Sequence, residues 1–166
     1  MKQTLAALTV AAIMFAGSAS AFDPAGLQKL KDTWACVGCD LHGADLGNAA
    51  LFMSDLEGAN LKGANLKGAE LWATNLNGAN LRKADLEGAN LKGADLRGAN
   101  LYKARLRNAN LSYASLQDTD MGGADLAGAD LSGANLIRAN LALAILNGAI
   151  LCNTTMPDGS VNYGGC

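Results

Sequence analysis

From position 41 to position 151 every fifth residue is Leu, and Met121 is the one exception among 23 places. Two residues before each stands a small side chain: Ala at 19 of the 23, with Cys39, Ser54, Thr74 and Thr119 at the others. The residue between the two is Asp or Asn in 17 of the 23. Gly is common two residues after the Leu, as in Leu61-Lys62-Gly63-Ala64-Asn65. The pattern runs over residues 39–153 without an insertion or a deletion.

This period constrains the fold severely. A step of five drifts around a helix of 3.6 residues per turn and builds no lasting apolar stripe. A Gly in nearly every unit would also cost a helix interior roughly 1 kcal/mol each time. A flat strand has period two and fails as well. Short extended pieces that bend once per unit, always in the same sense, form a solenoid. The Leu and the Ala two before it face inward, and the Asp or Asn between them faces out. The Gly-containing pair makes the corner, where Gly tolerates backbone angles other residues avoid. Each buried Leu contributes about 1.5–3 kcal/mol.

The tandem Ala-Asn/Asp-Leu-x-x unit, seen as Ala59-Asn60-Leu61-Lys62-Gly63, resembles that of pentapeptide-repeat proteins. The resemblance implies an all-β solenoid, a right-handed quadrilateral β-helix with four units in each coil. Residues 39–153 then make about 5.75 coils and a rod roughly 28 Å long at the usual strand spacing. In this arrangement Leu41, Leu61, Leu81, Leu101, Met121 and Leu141 form one core stack. Outward residues twenty apart become neighbours. Asp85, Arg105 and Asp125 alternate in charge, as do Lys67, Glu87 and Arg107. Phe52 sits under Trp72, while Lys62 lies beside the like-charged Arg82.

The segments outside the repeat read as a leader and two caps. Met1-Lys2, the apolar run from Leu5 to Ala16 and Ala19-Ser20-Ala21 have the layout of a secretory signal peptide over residues 1–21. Residues 22–38 form a capping segment and a C-x-x-C linker. Asp23 is a helix N-cap with Pro24 after it, and Leu27, Leu30 and Trp34 follow at helical spacing. A short amphipathic helix from Pro24 to about Trp34 is expected over the first coil. Residues 154–166 are the other cap. Ile137, Leu143, Ile145 and Ile150 are outward apolar residues near it. The simpler expectation is that the tail folds back over them, and the alternative is that they form a dimer or partner surface.

Export would place Cys36, Cys39, Cys152 and Cys166 in an oxidising compartment. The rod sets Cys39 and Cys152 over roughly 20 Å apart, whereas bonded cysteines need Cα atoms within about 7 Å. The expected pairs are therefore Cys36–Cys39 and Cys152–Cys166.

Few residues suggest chemistry. Cys36-Val37-Gly38-Cys39 lacks the βαβ context of a redox motif, the following His of a haem site and the four ligands of a zinc site. It reads as a disulfide pinning the cap to the first coil, with thiol–disulfide exchange as the alternative. His42 is the single histidine and faces outward. A bore filled by Leu and Ala leaves no room for a substrate, so no enzyme activity, cofactor or metal is expected. Without Lys2 the chain carries 12 basic against 15 acidic residues, a formal charge of −3. That balance suggests no nucleic acid, and with no second apolar run of spanning length no membrane contact is expected after signal cleavage. Phe52, Met53 and Trp72 form an aromatic patch that either meets a partner or packs under the helix against Leu27 or Leu30. The reading is a non-catalytic scaffold of the periplasm, or of the thylakoid lumen if the source has thylakoids. Its protein partner is unknown, and it is a monomer or an end-to-end dimer. Some proteins of the resembled family mimic DNA and protect a topoisomerase; export and the low charge argue against that role.

Overall fold

The structure is a computed structural model and describes residues 23–166. The expected leader over residues 1–21 lies outside the described residues.

The shape follows from two hydrogen-bond patterns. Each residue before an inward Leu pairs in parallel with the residue twenty later, from Ala35↔Asp55 to Asn135↔Thr155. In every such contact the N–H of the next residue, Leu in all but Cys36 and Met121, donates forward, as from Leu41 to the Asn60 carbonyl at 2.8 Å, and the N–H of Asn60 donates back to the Cys39 carbonyl at 2.8 Å. Between contacts the chain turns. The Ala44 N–H donates to the Leu41 carbonyl at 3.1 Å, closing a β-turn over Leu41–Ala44. A turn every five residues and a partner every twenty leave four sides to each coil.

The corner residue of each turn has positive φ, which is why Gly63, at φ +66°, suits it. Lys83, Lys103 and Leu143 hold the equivalent corner at φ 58°, 57° and 60°. These side-chain-bearing residues adopt a left-handed backbone that Gly accepts more easily.

The interior is Leu on Ala. Leu41, Leu61, Leu81, Leu101 and Met121 are fully buried. Where Ala is replaced by a hydroxyl residue, the hydroxyl has a backbone partner. Thr74 Oγ1 donates to the Leu51 carbonyl at 2.7 Å, Thr119 to Leu96 at 2.9 Å and Thr154 to Leu131 at 2.8 Å. The hydroxyls that take the place of Ala in the core are thus all satisfied. Leu141, Leu146 and Leu151 are half-buried, because no further coil lies over them.

At the N-terminal end α1 spans Pro24–Thr33. The Asp23 carboxylate accepts the Ala25 N–H at 2.9 Å, and Trp34 ends the helix in a left-handed conformation with its N–H on the Leu30 carbonyl. Leu27 and Leu30 are buried in the same core as the coil leucines.

The other end is finished differently. Strands β1 (Thr154–Thr155) and β2 (Val161–Asn162) pair antiparallel, and the Leu151 N–H reaches the Gly164 carbonyl at 3.2 Å. This small hairpin covers only the side of the coil beside it. The tail covers only part of the apolar group before it: Ile137 is half-buried and Gly165 lies against Ile150, where a Cβ would stand 3.4 Å from Ile150 Cγ2, while Leu143 is 92% exposed, Ile145 44% and Ile150 40%. Thirteen residues that turn back on themselves in a hairpin are too few to cross the whole end of a four-sided coil.

Leu96 lies mid-rod with no exposed surface. Leu96→Asp would place an unpaired carboxylate there, a penalty of several kcal/mol on top of the lost burial. The expected outcome is loss of the folded circular dichroism spectrum; a native spectrum with an unchanged melting temperature would contradict the packing described.

Candidate functional site

Four outer faces, two ends and one C-x-x-C motif are the places where this rod could act. The motif is a disulfide, Cys36–Cys39, with Cα atoms 5.3 Å apart. Cys36 is fully buried, and its Sγ lies 3.0 Å from the Gly26 carbonyl of α1. A Cβ at Gly26 would stand 3.4 Å from Cys39 Cβ, so helix and disulfide are in direct contact. Attack on a disulfide needs access to a sulfur. Here α1 closes one side. The other disulfide, Cys152–Cys166, ties the tail to the last coil.

Each face has its own chemistry. The face through Asp85, Arg105 and Asp125 is an ion-pair ladder. Arg105 reaches Asp85 and Glu87, each at 3.1 Å, and Lys67 reaches Glu87 at 3.3 Å. Arg107 turns to Asp125 at 2.5 Å instead of Glu87, which already has two cations. The Arg107 guanidinium holds the Asp125 carboxyl below its usual range. Another face carries the Arg138–Asp118 pair, which lowers the Asp118 carboxyl in the same way. Such exposed pairs add little stability individually.

The aromatic face carries Phe52 stacked on Trp72, with centroids 4.9 Å apart and planes within 4°. Trp34, at the end of α1, packs on Phe52 at 5.4 Å. The helix thus meets the patch through Trp34, while Leu27 and Leu30 point into the core. Trp72 remains 37% exposed and Met53 67%. His42 sits on the opposite face, two sides of the coil away, with its Nδ1 2.9 Å from Asp40 Oδ1, and it has no second histidine to work with. Among the described residues no group of three His, Cys, Asp or Glu could hold a metal ion.

That same face gathers four cations: Lys62, Arg82, Lys83 and Lys103. None makes an ion pair with the described residues. The Arg82 guanidinium lies 4.8 Å from the centre of the Tyr102 ring, and Lys103 Nζ lies 5.2 Å from it. A formal net charge of −3 summed over residues 23–166 conceals this grouping, because acids on other faces cancel it in the sum. Only the Lys62–Arg82 adjacency hinted at it in the sequence.

The C-terminal edge is also open. The N–H groups of Leu141, Leu143, Leu146 and Gly148 have no hydrogen-bond partner among the described residues, whereas their counterparts one coil earlier all do. Two sides of the last coil thus end in bare strand edge over half-buried leucines.

The fold is that of a repeat solenoid with a closed, side-chain-filled interior. The pentapeptide-repeat family model matches residues 54–93, 89–126 and 120–156 in eight copies, and the chain belongs to that family. Two of the solved structures it is similar to are pentapeptide repeat proteins, whose fold is the right-handed quadrilateral β-helix. One is HetL, a pentapeptide repeat protein involved in heterocyst differentiation regulation from the cyanobacterium Nostoc sp. strain PCC 7120. It is 36% identical, with a TM-score of 0.55 over 77% of this chain and just under two thirds (66%) of HetL. The other is Rfr23 from the cyanobacterium Cyanothece 51142, 32% identical, with a TM-score of 0.54 over 75% of this chain and 92% of Rfr23. No protein of curated function matches the sequence. Family membership makes the chain a structural repeat scaffold.

The burial of Cys36 under α1 generates a redox prediction. The Cys36–Cys39 pair should have a potential below about −300 mV, as structural disulfides do. Equilibration with glutathione or dithiothreitol buffers and thiol trapping measure it; a value near that of a disulfide oxidoreductase would restore the exchange reading.

Proposed function

We propose that the protein is an exported, non-catalytic scaffold that self-associates through its open C-terminal coil. The observation that carries the self-association is the unpaired edge at Leu141, Leu143, Leu146 and Gly148, lying over half-buried leucines. Unpaired edge strands are templates for pairing. An edge of this kind suits a second copy related by a two-fold axis, because the same donors and acceptors face one another. Charge favours the same occupant. Residues 139–157 contain no Asp, Glu, Lys or Arg, so two copies approach without like-charge repulsion. A scaffold role is supported by an interior with no space for a ligand, since Leu and Ala fill it. Nothing in the charge of the faces resembles the dense negative surface of a nucleic-acid mimic.

Export is supported by the basic, apolar and small-residue layout of residues 1–21 and by the pairing of all four cysteines. A periplasmic setting, or the lumen in a thylakoid-bearing cell, accommodates both.

Sedimentation velocity across a concentration series should show a dimer. Leu146→Lys, at a half-buried position of the open end, should convert it to a monomer that keeps the folded circular dichroism spectrum. A wild-type monomer at every concentration would exclude the end-to-end arrangement. Intact mass of protein recovered from a cell fraction should start at Phe22; a cytoplasmic, unprocessed chain would remove the exported reading.

A further inference from the structure

The four unpaired cations and the most exposed apolar side chain lie on one face. Lys83 and Lys103 hold the same corner in successive coils, and Gly123 and then Leu143 continue that column. Leu143 is 92% exposed at its corner position. It projects to the side, so a copy stacked on the rod's end would leave it outside. Lys62 and Arg82 form the neighbouring column, and Tyr102 follows them. Tyr102 is held in place: a Cβ at Gly122, in the coil beyond, would stand 3.2 Å from its ring, and Arg82 stacks on the ring. The two acids of the face make no contact with these four cations. Asp40 contacts His42, and Asp120 accepts the Gly122 N–H at 3.1 Å and the Asn140 amide at 2.9 Å.

We propose that this face docks on an anionic lipid bilayer. Lys62, Arg82, Lys83 and Lys103 meet the headgroups, Tyr102 lies at the interface and Leu143 enters the acyl boundary. A flat four-sided rod presents all these groups to a plane at once. Juxtamembrane cations attract acidic lipid, and Tyr is a residue of membrane interfaces. Leu143 decides between a bilayer and other polyanions. A projecting aliphatic side chain adds nothing on a nucleic acid or an acidic polysaccharide, but it is stabilised in acyl chains. No helix among the described residues is long and apolar enough to cross a membrane, so the contact is peripheral. The lack of a second apolar run of spanning length led to an expectation of no membrane contact; the folded face suggests a peripheral one.

Co-sedimentation tests this with the full chain and vesicles of phosphatidylcholine, with or without phosphatidylglycerol, at low salt. The variants are Lys83→Gly with Lys103→Gly, then the same pair with Leu143→Gly. Gly suits all three corners, at φ 58°, 57° and 60°, so the melting temperature should hold or rise. Lys62→Gln, at an exposed turn position outside the positive-φ sites, is an independent variant. Binding should require phosphatidylglycerol and fall about fivefold for each cation removed. Loss of Leu143 should lower it about tenfold more. The N-terminal segment is common to all variants, so only differences between them count. Equal binding to neutral vesicles, binding undiminished by the substitutions, or retention on DNA or heparin without vesicle binding would each overturn the proposal. The self-association test uses Leu146 at the open end, so either reading can fail without the other.

Discussion

The structure depends on one coupling: inward Leu packing and coil-to-coil hydrogen bonding share the same register. The backbone meets the next coil twice in each unit, beside the Leu, as Asp40 on Asn60, and again at the corner, where the Gly43 N–H donates to the Lys62 carbonyl at 2.9 Å. Both contacts lie within two residues of a buried Leu, so removing the amides from water and burying the side chain occur together. Each coil relies on its neighbours on both sides for partners. The first coil has α1 on one side, with Leu27 and Leu30 in the core. The last coil has only a hairpin, and its leucines are correspondingly half-exposed.

Much of this was readable in the amino-acid order. Five-residue spacing of Leu and Ala excludes helix and flat strand and identifies the inward positions. Asp23-Pro24 marks the start of α1 because capping chemistry is local. Four sides to a coil is another matter. A five-residue period is compatible with any number of units per turn, and the number came from family resemblance before the Ala35↔Asp55 register displayed it. The extent of tail coverage was also out of reach. Apolar Ile145 and Ile150 are equally consistent with a covered surface and a bare one, and only the path of residues 154–166 distinguishes them. Trp34 contacting Phe52 escaped notice for a similar reason: the helix's angle on the coil decides which of its apolar residues meets the aromatic face.

The basic face shows a more general difficulty. Totals of charge add contributions from all sides of a solenoid, although a partner meets one side at a time. Lys67, Arg105 and Arg107 are neutralised by acids on their own face. Lys62, Arg82, Lys83 and Lys103 are not, and Tyr102 stands among them instead. The two groups contain similar residues and differ only in which coil positions they occupy.

That difference exposes a double code in the chain. What the interior requires repeats every five residues, and any unit satisfies it on any side. What the exterior displays repeats every twenty. Loss of a single unit would leave the core intact yet turn everything beyond it by a quarter, so that lysines once in line would come to stand around a corner from one another. Gain or loss of four units would lengthen or shorten the rod and leave each column straight. Surfaces in such a protein can therefore be rearranged wholesale by small changes in length that the hydrophobic centre does not register.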